Sequence, residues 1–160
     1  MRIVVPVGVA VCAAVITLTA QAAGKVEISF VAPEKYSDIH DAARRLDDNL
    51  KALRHHLEQA AAPYVADGQT LKIDVLDVDL AGRVEPATRP DDVRVLRGEA
   101  DWPRIHLRYT LDAGGSTLRR GDAWLSDMAY LQRLPPPDRG MGLAYERRMI
   151  DEWLRSEFKR

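Results

Sequence analysis

The sequence predicts an α+β fold, a two-layer sandwich in β-α-β-β-β-α order. Its partly antiparallel four-stranded sheet carries two helices on one face. Three observations lead there. A stripe of apolar residues at alternating spacings of four and three runs from Ile39 to Tyr64, the period of an amphipathic helix. Several short segments alternate apolar and polar residues, as strands with one wet face do. Asp112-Ala-Gly-Gly-Ser116 joins two of them and is rich in positions that tolerate positive φ, the mark of a hairpin.

In chain order, the first segment reads as an address rather than as fold. Arg2 precedes the mostly apolar stretch Val7 to Leu18, and Ala20-Gln21-Ala22 places small side chains where a signal peptidase cuts. A charged start, a short apolar core and an A-x-A exit make a secretory signal peptide. The apolar run is shorter than a spanning helix requires, and Pro6 and Gly8 weaken it further. The expected division is therefore 1–22 as leader, cut after Ala22 or Ala23, and 23–160 as one α+β domain in the periplasm. Contact with the membrane is expected only through the uncleaved leader.

Val26 to Val31 alternates and reads as the first strand, ended by Pro33. Ser37 or Asp38 then suits a helix N-cap. The helix stripe is Ile39, Ala43, Leu46, Leu50, Leu53, Leu57, Ala60 and Tyr64, with Pro63 and Gly68 as stops. Leu71 to Leu80 is a strand whose apolar phase changes near Val75-Leu76, which predicts a bulge there. Gly82 closes it. The stretch from Arg83 to Trp102 is long for a plain connector, so Val93 to Leu96 is expected to form a short element of its own. Arg104 to Leu111 alternates cleanly, with Ile105, Leu107, Tyr109 and Leu111 on one side. The return strand covers about 117–126, and its phase shift across Gly121 suggests a second bulge. After Pro135-Pro-Pro137 comes a helix from about Leu143 to Phe158. Its rows Tyr145/Met149/Trp153 and Ile150/Leu154/Phe158 make a broad apolar face.

Five blocks of this chain are similar to a known family: VEISFVAPEKYSD (26–38), LKIDVLDVDLAGR (71–83), DVRVLRGEADWPRIHLRYTL (92–111), SDMAYL (126–131) and YERRMIDEWLRSEF (145–158). Together they resemble the bacterial secreted family called domain of unknown function 3016. The resemblance implies a place in the envelope of Gram-negative bacteria. It carries no assigned activity, so no catalytic residue comes with it.

Composition narrows the function classes. The 160 residues hold 23 Lys+Arg against 24 Asp+Glu, a formal net charge of -1. That balance argues against a nucleic-acid binder working by bulk charge. The single cysteine, Cys12, lies in the leader. A mature chain without cysteine suits an oxidising compartment and removes thiolate nucleophiles and ligands. No G-x-S-x-G, P-loop, G-x-G-x-x-G or HExxH motif is present, and no cofactor or metal is expected.

The acidic group Asp74, Asp77 and Asp79 is the best candidate for a site. Asp77 and Asp79 fall on the same side of a strand end, about 7 Å apart along it. Asp77-x-Asp79-x-x-Gly82 resembles the opening of a calcium loop, but Ala81 and Thr88 stand where ligands are required. The plain reading is a solvated strand end paired with arginines. His40, His55, His56 and His106 read as solvated side chains, and Arg104 and Arg108 flank His106. Arginines from Arg83 to Arg120 can hold a carboxylate or phosphate, although interleaved acids make local salt bridges the simpler account. Trp102 precedes Pro103 in a loop and Trp124 falls off the buried phase of its strand. Exposed aromatics beside arginines suit a binding surface, although aromatics more often complete the core.

The reading leans to a non-enzymatic, exported binding or accessory module of the cell envelope, with catalysis left open. Its working surface is expected on the Arg83–Trp102 and Met128–Gly142 loops. Asp77, Asp79, Arg94, Trp102, Arg104 and Asp127 are its candidate residues. An envelope protein or a small anionic ligand is the expected partner. The rival is a small periplasmic hydrolase or metal-assisted enzyme, which requires Asp77, Asp79 and Asp127 to converge in one pocket.

Overall fold

The computed structural model describes residues 23–40, 46–85, 93–135 and 142–159. The leader 1–22 and the helix-stripe residue Ala43 lie outside them, as do parts of both loops expected to form the working surface. Strand β1 spans Lys25–Phe30, helix α1 Leu46–Ala61, β2 Gln69–Asp79, β3 Arg83–Glu85, β4 Val93–Val95, β5 Arg104–Ala113, β6 Ser116–Ser126 and helix α2 Ala144–Phe158. Short 3-10 turns follow β1 and α1, at Pro33–Lys35 and Ala62–Tyr64.

The main sheet has four strands in the order β1-β2-β5-β6, while β3 and β4 pair separately. β1 runs parallel to β2, and the other neighbours are antiparallel. The fold is α+β, as the alternation and the hairpin indicate. The expected short element near Val93 exists as β4, and its antiparallel partner β3 is what closes the small sheet.

One face of the main sheet makes the core. Ile28, Leu71, Ile73, Val75, Val78, Ile105, Leu107, Tyr109 and Leu125 join Leu53 and Leu57 of α1 and Met149, Ile150, Trp153 and Leu154 of α2. Each large apolar side chain buried there contributes about 1.5–3 kcal/mol. The pairing register slips between Val75 and Asp77, which is where the change of apolar phase places a bulge. That slip lets Val75 and Val78 both reach the core.

Two expectations are corrected. Ser37 and Asp38 do not cap α1. Asp38 bridges Asp79 in parallel, with its N–H on the Val78 carbonyl and its carbonyl taking the Leu80 N–H. Backbone bonds to β2 outcompete a helix start, and Ile39 and His40 stay non-helical. The second bulge exists but not at Gly121. The slip is between Leu111 and Asp112, which pair with Arg119 and Thr117 and leave Leu118 as the extra residue. Gly121 has another reason to be glycine: an added Cβ would lie 2.7 Å from the Tyr109 ring.

The opposite face of the sheet is polar. Its rows read Ser29–Asp74–Arg108–Asp122, then Asp77–His106–Trp124, then Asp79–Arg104–Ser126. Both helices pack on the core side. The polar face is met by Ser37, Asp38 and Arg83 only at its Asp77–Asp79 end, and Arg108, Asp122 and Trp124 stay exposed.

Candidate functional site

All six candidate residues come to one end of the sheet, where β2 ends, β5 begins and β6 ends. Antiparallel pairing causes this, because it brings residues far apart in the chain to a common edge. Their side chains nevertheless serve different partners.

Asp77 accepts two bonds from Ser37, from its N–H and its hydroxyl, both 2.7 Å. Asp79 lies between Arg104 at 3.6 Å and Arg83 at 3.7 Å. Burial raises its carboxyl pKa, and those two guanidinium groups work against the rise. Asp127 is paired with Arg148 at 3.0 Å and Arg133 at 3.3 Å. The three carboxylates are thus held by three separate sets of donors. Among the described residues no group of three or more His, Cys, Asp or Glu is placed to hold a metal ion.

Arg94 acts as a clasp. It donates to both oxygens of Asp38 and to the carbonyls of His40, Ala81 and Gly82, so its fork is spent on holding β4 against the end of β2. Trp102 is half-buried against Ala81, Tyr130 and Tyr145, and the Arg104 guanidinium lies 4.7 Å from its ring centre. This contact is a cation–π pair within the fold.

Trp124 behaves differently. It is 72% exposed and lies flat on His106, with ring centres 3.7 Å apart and planes 10° from parallel. The His106 ring is bonded to Asp122 at 2.7 Å, and Asp122 also faces Arg108 at 3.8 Å. His106 is therefore not a freely solvated side chain. Neither is His56, whose ring reaches Asp151 at 2.8 Å and ties α1 to α2.

Two buried polar residues of the helices escaped the sequence reading. Glu146 is 2% exposed, and its Oε1 accepts the Ala81 N–H at 2.7 Å. Burial holds its carboxyl above the ordinary carboxylate range. It borders an open cavity of about 260 Å³ lined also by Leu80, Arg94, Leu96, Leu143 and Tyr145. Leu143 stands there at φ 52, a costly conformation for a branched side chain. Asn49 is fully buried and donates to the Ile39 carbonyl at 2.8 Å. A signal existed for both: each continues an apolar row back by one turn, Glu146 before Ile150 and Leu154, Asn49 before Leu53 and Leu57.

Comparison with known proteins bears on kinship rather than chemistry. A family model described as "Protein of unknown function (DUF3016)" matches residues 24–156. The chain belongs to this family. A search of the curated proteins finds no match. Among solved structures, the DUF3016 chain is similar to a minor lipoprotein from Acinetobacter baumannii, at 12% identity, covering 84% of this chain and 88% of that one, with a TM-score of 0.30.

Proposed function

We propose that this DUF3016 protein is a non-enzymatic binding or accessory module of the bacterial cell envelope. Its N-terminal 22 residues direct export to the periplasm, with cleavage after Ala22 or Ala23. It takes a segment of an envelope protein on the uncovered face of its sheet. The observation that carries this reading is Trp124, a large aromatic side chain left 72% exposed on a face that neither helix covers. Aromatic anchors of this kind dominate protein interfaces. The His106 ring beneath it holds the indole in one orientation, which lowers the entropy lost on binding. Arg108 and Asp122 on the next row supply a mixed-charge rim, suited to a polar partner chain rather than a lipid tail.

The test has two arms. Fractionation of expressing cells, with the mass of the recovered protein, should find a periplasmic chain lacking the leader. Cytoplasmic protein of full mass would overturn the export reading. Chemical crosslinking in the envelope, followed by affinity recovery, should give a discrete partner with the wild type and lose it with Trp124→Ala. Equal recovery by both proteins would remove the sheet face as the binding surface.

A further inference from the structure

The outer edge of β6 carries a pattern that the partner-binding reading does not use. β6 is a terminal strand of the main sheet, and its far backbone edge has no strand against it among the described residues. Eleven residues long, it is exposed over most of its length. Edges of this kind template pairing with another chain unless something blocks them. Here the two neighbouring arginines differ. Arg119 is turned onto α2, where it bonds the Glu157 carbonyl. Arg120 is exposed and has no ion-pair partner among the described residues.

We infer that β6 pairs antiparallel with β6 of a second copy of this chain, with Gly121 of each on the two-fold axis. Charge selects this occupant and this register. With Gly121 opposite Gly121, Arg120 of each copy stands opposite Asp122 of the other, giving two equivalent ion pairs across the axis. Shifting the axis by one residue either way sets Arg120 against Arg120 or Asp122 against Asp122, which is unfavourable. Arg120, Asp122 and Trp124 all lie on the uncovered face, since they alternate along the strand and pair with Thr110, Arg108 and His106. The Arg120 guanidinium of the second copy therefore also comes diagonally beside Trp124, within reach of its ring. Gly121 suits the axis, because its missing side chain belongs to the core side, under Tyr109. The extra residue Leu118 ends the regular stretch, so the paired segment runs from Arg119 to Ala123. Pairing this short makes a reversible dimer and joins two main sheets into one of eight strands. The two Trp124 side chains then share one continuous face.

Sedimentation equilibrium over a concentration series tests this with the protein as the host processes it, its mass recorded beforehand. The expected result is a monomer–dimer equilibrium that weakens with added salt. Arg120→Asp should weaken it by about tenfold or more, because two attractive pairs become repulsive. Arg120→Lys, which keeps the charge and leaves Asp122 on His106 and Arg108, should retain most of the association. Far-UV circular dichroism checks that each variant is folded. A monomer at all concentrations overturns the proposal. So does a dimer that Arg120→Asp leaves unchanged, or one that Arg120→Lys weakens as much as Arg120→Asp does.

Discussion

Arg94 and Asp38 meet as a two-point ion pair, Nη1 on Oδ2 at 3.1 Å and Nη2 on Oδ1 at 3.0 Å. They are 56 positions apart in the chain, so this one contact fastens the small β3–β4 sheet to the segment that leaves β1. Their side chains are only 13% and 17% exposed. At that depth a guanidinium and a carboxylate are much better paired than alone.

Removing the cation should therefore be costly. Arg94→Ala is expected to destabilise the protein by about 3 kcal/mol, because Asp38 stays behind as a mostly buried charge and three backbone carbonyls lose a donor. Arg94→Lys should recover only part of this, since an ammonium cannot span both carboxylate oxygens. Urea unfolding of the two variants checks it. Equal stability of Arg94→Lys and wild type would show that the fork geometry is unimportant.

Glu146 predicts a pH dependence with a definite sign. Burial raises its folded-state pKa above the ordinary value of 4.5, so the folded protein holds this proton more tightly than the unfolded chain does. Its contribution is most favourable below the unfolded pKa and declines as pH rises through the folded one. Glu146→Gln cannot ionise and still offers an oxygen to the Ala81 N–H. The variant should be more stable than wild type at neutral pH, and the gap should close on acidification below the ordinary carboxylate range. Thermal melts across the acid-to-neutral range measure this, and a pH-independent gap would refute it.

Gly121→Ala should destabilise by about 1–3 kcal/mol through overpacking, since the new Cβ would sit 2.7 Å from the Tyr109 ring. Combining it with Tyr109→Val, which removes the ring, should abolish most of that added cost. A double-mutant cycle reads the coupling. Additive effects would mean that Gly121 is needed for something other than the tyrosine.

Asp77 is expected to hold structure rather than partner. Asp77→Ala removes the acceptor for both Ser37 donors and should cost about 1 kcal/mol. Ser37→Ala, which keeps the N–H bond, should cost less. Partner recovery in the crosslinking experiment should survive Asp77→Ala. Its loss in a folded protein would place Asp77 back in the binding surface.

Much of the architecture is local information and could be read from the chain. The apolar phase change in 71–80 located the β2 bulge, because side chains alternate with period two and only an extra residue moves a core set across the sheet. The same logic detected the β6 irregularity yet put it at Gly121. Phase shows that a residue is extra but not which one, and Tyr109, on the neighbouring strand, accounts for the glycine. Ser37 and Asp38 looked like helix caps because capping is a local preference. Bonds to Val78 and Leu80, distant in sequence, overrode it.

Face membership was legible in the sequence for the apolar rows of the strands and helices, while buried Asn49 and Glu146 and the exposure of Trp124 needed the tertiary structure. Charge partners were decided only by tertiary structure. Asp77 and Asp79 look like one acidic group in sequence, and strand pairing brings Asp127 to the same end of the sheet. Their carboxylates are nevertheless claimed by Ser37, by Arg83 and Arg104, and by Arg133 and Arg148. Periodicity is a property of consecutive residues, whereas an ion pair depends on a few ångströms between elements that meet only when the core closes.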